Sequence, residues 1–147
     1  MVVQILVPID GEAGRLSPHE QRRERQRRLG RRAEEACRAW AEREQHEVVA
    51  VHSDRGLSGK LGPEDRPGLA AALNELEGNR AEGLVVHRLD RFARELHVQE
   101  AALARAWTAG GRIFEAVEGE VQRDDPDDPM RTFVRQVWAR RRSLSAA

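Results

Sequence analysis

Two kinds of apolar pattern alternate along this chain, and their order is the feature that most constrains its fold. Short β-branched runs have the pattern of buried strands, and they lie at 2–9, 47–51, 83–86 and 112–114. Between them, apolar residues recur every three or four positions, as on one face of a helix, at 17–43, 69–76 and 92–106. No tight hairpin turn is recognisable between any two of these strands. Because strands joined through helices pair in parallel, we predict an α/β fold, a three-layer sandwich around a mainly parallel sheet of four or more strands.

The charged residues balance overall but are unevenly distributed. Lys+Arg and Asp+Glu both number 25, so the formal net charge is zero, which argues against a surface that coats nucleic acid over its whole area. Seven arginines crowd the first predicted helix between 22 and 32, and most of them lie off its apolar stripe. The residues of this stripe are Leu29, Ala33, Ala36, Cys37, Trp40 and Ala41. We interpret the basic run, which is interleaved with glutamates, as a solvated helix face with ion pairs at i and i+4.

Several classes of protein are disfavoured by what the sequence lacks. The lone Cys37 rules out an intramolecular disulfide, and we interpret it as a core residue. The longest apolar run, 5–9, is far shorter than a membrane-spanning helix of ~20 residues, so we expect no membrane partner and a cytoplasmic protein. No His, Cys or Asp cluster has metal-ligand spacing, and no Gly-x-x-x-x-Gly-Lys phosphate loop is present. We therefore expect neither a metal nor a cofactor.

Polar segments follow three of the predicted strands, at 15–21, 54–66 and 88–94. In open parallel sheets the active site lies at the carboxyl ends of the strands, so chemistry is expected in these segments. They contain one hydroxyl nucleophile candidate, Ser17, and arginines in every segment. Guanidinium groups neutralise a phosphate diester and the charge that grows on it in the transition state, whereas acyl transfer needs a base beside the serine. The pattern therefore favours attack of a serine on a phosphate diester.

Five short motifs stand in order along these segments. They are Arg15-Leu16-Ser17; Glu20-Gln21 with Glu24-Arg25-Gln26; Asp54-Arg55-Gly56-Leu57-Ser58-Gly59; Asp65-Arg66-Pro67-Gly68-Leu69; and Leu89-Asp90-Arg91-Phe92-Ala93-Arg94. Each motif alone is weakly specific. Their order and spacing resemble the catalytic domain of the serine site-specific recombinases, the resolvase/invertase family, over about 15–135 of this chain.

The resemblance implies a role for each matching residue. Ser17 would attack a DNA phosphate and hold a 5′-phosphoserine link, which conserves the phosphoester energy without ATP or a metal. Asp90 would help to protonate the leaving oxygen or would orient an arginine. Four arginines would bind the DNA phosphate: Arg15, Arg66, Arg91 and Arg94. Four further polar residues would support the site: Gln21, Gln26, Asp54 and Ser58.

The chain departs from the family pattern after its first strand. In the family the Arg-x-Ser motif follows the strand directly, whereas 10–14 intervenes here. An alternative alignment places Ile9 or Asp10 in the nucleophile position, which would leave the enzyme inactive. The spacing from Ser17 to Glu24-Arg25-Gln26 favours Ser17. An unrelated interpretation is a receiver-like module that uses Asp10 and Asp54.

A second departure concerns the end of the chain. We divide the chain into a catalytic domain, 1–129, and the start of a dimerisation helix, 130–147. Residues 130–137 resemble the family's helix and 138–147 lose the pattern, so we expect this helix to be truncated or frameshifted, without a DNA-binding domain. We expect such a chain to be impaired in isolation. It would contact the DNA phosphate backbone and form a weak homodimer, or a heterodimer with a full-length serine recombinase, through this helix. The alternative is an inactive remnant or a dominant-negative partner of such a recombinase.

Overall fold

The computed structural model describes residues 1–7, 19–54, 65–89 and 95–123. Strands and helices alternate over most of this length, as the apolar pattern predicts. The elements are β1 (Val2–Val7), α1 (His19–Arg43), β2 (Glu47–Ser53), α2 (Pro67–Glu77), β3 (Gly83–Val86), α3 (Leu96–Thr108), β4 (Arg112–Glu115) and β5 (Gly119–Glu120).

The described strands form one sheet in the order β2-β1-β3-β4-β5. β1 pairs in parallel with both β2 and β3, and β3 pairs in parallel with β4, so only β5 runs antiparallel. Because β2 and β3 lie on opposite sides of β1, the connection through α2 crosses over β1. The strand order therefore changes direction at β1, and the crevice outside the carboxyl ends of the strands at such a point is where α/β proteins bind ligands.

Helices cover both faces of the sheet. On one face α1 contributes Cys37, Trp40 and Ala41, which pack against Val3, Ile5, Val7, Val85 and Phe114. On the other face α2 and α3 bury leucines such as Leu73 and Leu103 against Leu6, Leu84, Val86 and Ile113. Neighbouring strand residues alternate between the two clusters because successive side chains point to opposite faces of a sheet. The prediction of a three-layer sandwich around a mainly parallel sheet is confirmed.

A buried amide ties α2 to the two strands beneath it. Gln4 lies on β1 and is fully buried. Its Nε2 donates a hydrogen bond to the Ala72 carbonyl oxygen at 2.6 Å, and its Oε1 lies 2.9 Å from His52 Nε2 on β2. A buried amide costs free energy unless its polar atoms are paired, so these contacts fix α2 over β1 and β2.

A hairpin joins β4 to β5, which corrects the prediction that no tight turn joins two strands. The chain turns at Ala116–Glu118 and enters β5 at Gly119 with φ of 92°, a conformation that glycine adopts at little cost. Arg112 on β4 then pairs with Glu120 on β5, with Nη2 and Oε2 2.7 Å apart. A strand of two residues has no alternating pattern by which the sequence could reveal it.

Three smaller predictions also differ from the structure. β2 continues through Ser53 rather than ending at Val51, and α2 begins at Pro67, two residues before the predicted start at Leu69. The apolar spacing predicts Leu29 on the buried stripe of α1, but it is 39% exposed while the next residue, Gly30, is buried. Successive residues of a helix are rotated by about 100° about its axis. The buried stripe passes through Gly30, and Leu29 therefore lies at its edge.

Parts of the predicted elements lie outside the described residues. These parts are the end of the first strand at 8–9, the helix start at 17–18, the helical residues at 92–94 and the final helix at 130–147. Of the helices that the structure describes, none is long and apolar enough to cross a membrane.

The buried Cys37 makes stability depend on alkaline pH. Burial, and to a smaller extent the charge of Glu34, raises the pKa of Cys37 from 9.0 to about 12. An unfolded thiol ionises near pH 9.0 but the folded one does not, so stability is full below that pH and falls as the pH rises toward 12. We expect the free energy of unfolding to fall by about 1.4 kcal/mol per pH unit in this window.

Urea unfolding at pH values from 8 to 11 measures this slope. The chain contains no Tyr, and Lys60 is its only lysine, so few other side chains titrate there. The control is Cys37→Ala, which loses packing but should show a nearly flat profile. An equal slope in Cys37→Ala would assign the effect to another group.

Candidate active site

The carboxylate of Asp54 stands directly after β2 and holds the start of α2. Its Oδ1 accepts a hydrogen bond from the Gly68 backbone N–H at 2.6 Å, and its Oδ2 accepts one from Leu69 at 2.8 Å. The first N–H groups of a helix have no partner within the helix, and a negative charge is favoured beside them. Asp54 is 3% exposed, so this contact joins β2 to α2 inside the protein.

Arg66 completes a buried ion pair with Asp54. Arg66 Nε lies 3.3 Å from Asp54 Oδ2, and neither side chain is more than 1% exposed. The backbone of Arg66 is extended, with φ of −124° and ψ of 95°, as expected for a residue before proline. Burial lowers the pKa of Arg66, and the charge and hydrogen bonding of Asp54 oppose that shift. The pair therefore keeps a guanidinium in a position from which water is excluded.

The backbone at Gly68 approaches the end of β2 too closely for any side chain. A Cβ atom at this position would lie 2.7 Å from the Ser53 carbonyl oxygen and 2.8 Å from Asp54 Oδ1. Pro67, at the first position of α2, needs no hydrogen-bond partner for its nitrogen. The order Arg66-Pro67-Gly68 thus has a physical reason at each residue.

A second carboxylate, Glu115, stands at the end of β4. Its Oε1 accepts a hydrogen bond from the Leu89 backbone N–H at 2.5 Å. Leu89 is the first helical residue after β3 and is 2% exposed. Sequence reasoning missed Glu115; the available signal was an acidic residue directly at the end of an apolar parallel strand.

The chain segments that lead into the predicted motifs meet in one cluster. Leu6 lies near the end of β1, Leu69 in the first turn of α2, and Leu89 directly before Asp90. All three leucines belong to the same buried core between the sheet and the pair α2 and α3. The fourth and fifth motifs therefore each contribute a leucine to this core, and so does β1, the strand that precedes the first motif.

Of the predicted site residues, the structure brings together Asp54 and Arg66. Gln21 lies in the first turn of α1 and is exposed, and Gln26 follows on the same helix. The others fall outside the described residues: Arg15, Ser17, Ser58, Asp90, Arg91 and Arg94. The competing nucleophile position at Ile9 or Asp10 lies there too. Within the described ranges, no group of three His, Cys, Asp or Glu side chains could hold a metal ion.

Breaking the buried pair should destabilise the protein strongly. Asp54→Ala leaves a buried guanidinium and two helix N–H groups without their carboxylate, and we expect a loss of about 3–5 kcal/mol. Replacing both partners, Asp54→Ala with Arg66→Met, removes the uncompensated charge and should cost less than the sum of the single changes. Urea unfolding of the single and double variants measures this coupling, and strictly additive losses would contradict it.

Gly68→Ala tests the close approach at the start of α2. Although alanine favours helices, its Cβ would overlap the end of β2, and we expect a loss of about 1–3 kcal/mol. The matched control is Gly78→Ala at the other end of α2, where φ is −85° and the nearest atoms belong to the flexible side chain of Arg80. Thermal unfolding should show a much smaller change there, and equal losses at the two ends would refute the steric explanation.

Comparison with known proteins agrees with this architecture. The chain is similar in fold to the N-terminal catalytic domain of TP901-1 integrase, with a TM-score of 0.65, 16% identity and coverage of 98% of both chains. It is also similar to a resolvase family site-specific recombinase from Streptococcus pneumoniae, with a TM-score of 0.66, 16% identity, and coverage of 99% of this chain and 93% of that one.

A third solved structure has higher sequence identity. It is the C-terminal catalytic domain of IS1535 TnpA, an IS607-like serine recombinase, with 26% identity, a TM-score of 0.51, and coverage of 99% and 95% of the two chains. No curated protein matches the chain significantly. The sequence profile of the resolvase N-terminal domain matches residues 14–146, which excludes a receiver-like module. The chain is a member of the resolvase N-terminal domain family, with the fold of a serine recombinase catalytic domain.

Proposed function

We propose that this chain cleaves and rejoins DNA strands through a 5′-phosphoserine intermediate formed on Ser17. The observation that carries the proposal is the convergence of the segments that lead into the motifs. Leu6, Leu69 and Leu89 share one core cluster, and the carboxylates of Asp54 and Glu115 hold the two later segments at the same edge. This edge is where α/β proteins carry out chemistry.

The proposed reaction exchanges one phosphodiester for another. Ser17 Oγ attacks the phosphorus, the bond from phosphorus to the 3′ oxygen breaks, and the serine keeps the 5′ phosphate. The serine proton is lost as the new bond forms, and Asp90 helps to supply a proton to the leaving 3′ oxygen. A 3′-hydroxyl then attacks the phosphoserine and restores both the DNA backbone and the serine. No energy source is needed because the number of phosphoester bonds is unchanged.

The arginines supply the positive charge that this reaction needs. We assign phosphate binding to Arg15, Arg66, Arg91 and Arg94, because fixed guanidinium groups stabilise the charge that develops on the non-bridging oxygens. Arg66 differs from a freely exposed ligand, since it is fully buried and paired with Asp54. Its contact with a DNA phosphate therefore requires a rearrangement of the groups that cover it. We assign support of the site to Gln21, Gln26, Asp54 and Ser58.

The partner implied by this chemistry is the DNA phosphate backbone. We further propose association with a second copy, or with another serine recombinase, through 130–147. In the sequence, the apolar residues Phe133, Val134 and Val137 are spaced as on one face of a helix. An apolar face of this kind marks an interface when its own domain does not cover it.

A covalent adduct on DNA tests the proposed nucleophile. The substrate is a pool of random-sequence duplexes, each with one 3′-bridging sulfur that leaves readily and traps the cleaved strand. We expect a protein–DNA adduct that is stable in denaturing gels and absent from Ser17→Ala. An adduct that persists in Ser17→Ala would refute Ser17 as the nucleophile.

The same substrates separate the roles of Asp90 and the arginines. Asp90→Ala should be slow on ordinary DNA and should recover on the sulfur substrate, because a thiolate leaves without a proton. Arg91→Ala should lose about 10²–10³-fold on both substrates, as for removal of one donor to a developing charge. Arg123→Ala, an exposed arginine outside the motifs, is the matched control and should leave the rate unchanged.

A further inference from the structure

We propose that Glu115 is a positioning residue for the motif that contains Asp90, Arg91 and Arg94. This inference rests on the proposed function, because it gives a reason for the placement of the groups that bind the phosphate. The observation behind it is the hydrogen bond from the Leu89 backbone N–H to Glu115 Oε1, 2.5 Å long, which crosses between two strand ends.

The position of Glu115 is itself well determined. Its residue pairs with Val86 in the parallel register of β3 and β4. The next residue, Ala116, donates its backbone N–H to the Val86 carbonyl oxygen at 2.9 Å. The partly buried Glu115 carboxylate therefore projects from a strand end that is already held to the strand before the motif.

The other end of the contact is equally constrained. Leu89 is 2% exposed, and its side chain is part of the core that α2 and α3 form on the sheet. Leu89 is the first helical residue after β3, and the first N–H groups of a helix have no partner within that helix. A carboxylate on that group fixes the direction in which the chain leaves β3. Asp90 and Arg91 are the next two residues in the sequence, so a change in this direction would displace the motif.

Asp54 provides a precedent within the same molecule. It stands at the end of β2 and accepts hydrogen bonds from Gly68 and Leu69 at the start of α2, next to Arg66. Glu115 repeats this arrangement at the end of β4, with a carboxylate on the first helical N–H of a segment that carries arginines. Two motifs with phosphate-binding arginines are thus both held by a carboxylate from a neighbouring strand end.

The experiment compares Glu115→Ala and Glu115→Gln with the control Glu118→Ala, which removes an exposed glutamate from the turn after β4. Two quantities are measured in the full chain at a temperature where circular dichroism shows every variant folded. The first is amide hydrogen exchange over 89–94. The second is the single-turnover rate of adduct formation on the 3′-sulfur duplexes, with the DNA concentration at half-saturation.

For Glu115→Ala we expect exchange over 89–94 to accelerate about tenfold or more and the adduct rate to fall about 10- to 100-fold, the range of a hydrogen bond to a charged group. The half-saturating DNA concentration should change by less than about threefold, because other phosphate contacts remain. Glu115→Gln keeps an oxygen acceptor and should recover part of the rate, and Glu118→Ala should match the unmodified chain.

Two results would overturn the inference. One is an unchanged adduct rate despite faster exchange, which would make the contact purely structural. The other is faster exchange at Leu89 alone, with the amides of 90–94 unchanged, which would show that the contact does not order the motif. If the unmodified chain forms no Ser17-dependent adduct, the proposed function fails, and the exchange result over 90–94 still decides whether Glu115 positions this segment.

Discussion

The buried contact between Asp54, Arg66 and the start of α2 is the interaction on which the carboxyl edge of the sheet depends. A carboxylate removed from water is strongly unfavourable unless its oxygens are paired. Here two backbone N–H groups of α2 and one guanidinium satisfy it. Asp54 contacts residues that lie 12–15 positions later in the chain. It therefore joins the two ends of the segment that connects β2 to α2. The position of Arg66 relative to the sheet follows from this closure.

Both carboxylates at the strand ends solve the same electrostatic problem. In a parallel sheet with crossover helices, the carboxyl ends of the strands lie beside helix N-termini, where N–H groups without helical partners carry partial positive charge. Asp54 and Glu115 neutralise this charge at two such ends. Arginines can then be carried on the same segments without adding to an unbalanced positive field.

The basic residues of α1 whose side chains the structure describes are exposed. Glutamates on the same helix pair with some of them, as in Arg28–Glu24 at 3.8 Å and Arg38–Glu34 at 2.9 Å. Exposed pairs of this kind contribute little to stability, about 0–1 kcal/mol each. The observed pairs at i and i+4 agree with the prediction of a solvated helix face with ion pairs.

Sequence alone determined the fold class and much of the element order. The strand at Gly83–Val86 was predicted at its observed position, and the helical pattern at 69–76 lies within α2, because apolar periodicity is a local signal. The motifs also identified Asp54 and Arg66 as neighbours in a site. The assignment of Ser17 remains a prediction from their spacing.

Only the tertiary structure decided how these residues are placed. It showed that Arg66 is enclosed rather than exposed, that Leu29 falls outside the core, and that β5 folds back on β4. It also showed that Glu115 reaches the N–H of Leu89, 26 residues earlier in the chain. Each of these outcomes depends on the three-dimensional arrangement of packed elements, in several cases elements far apart in the chain. Apolar periodicity in the sequence shows which face of a helix or strand is apolar. Whether a given residue is buried or paired depends on the elements that pack against that face in the folded protein.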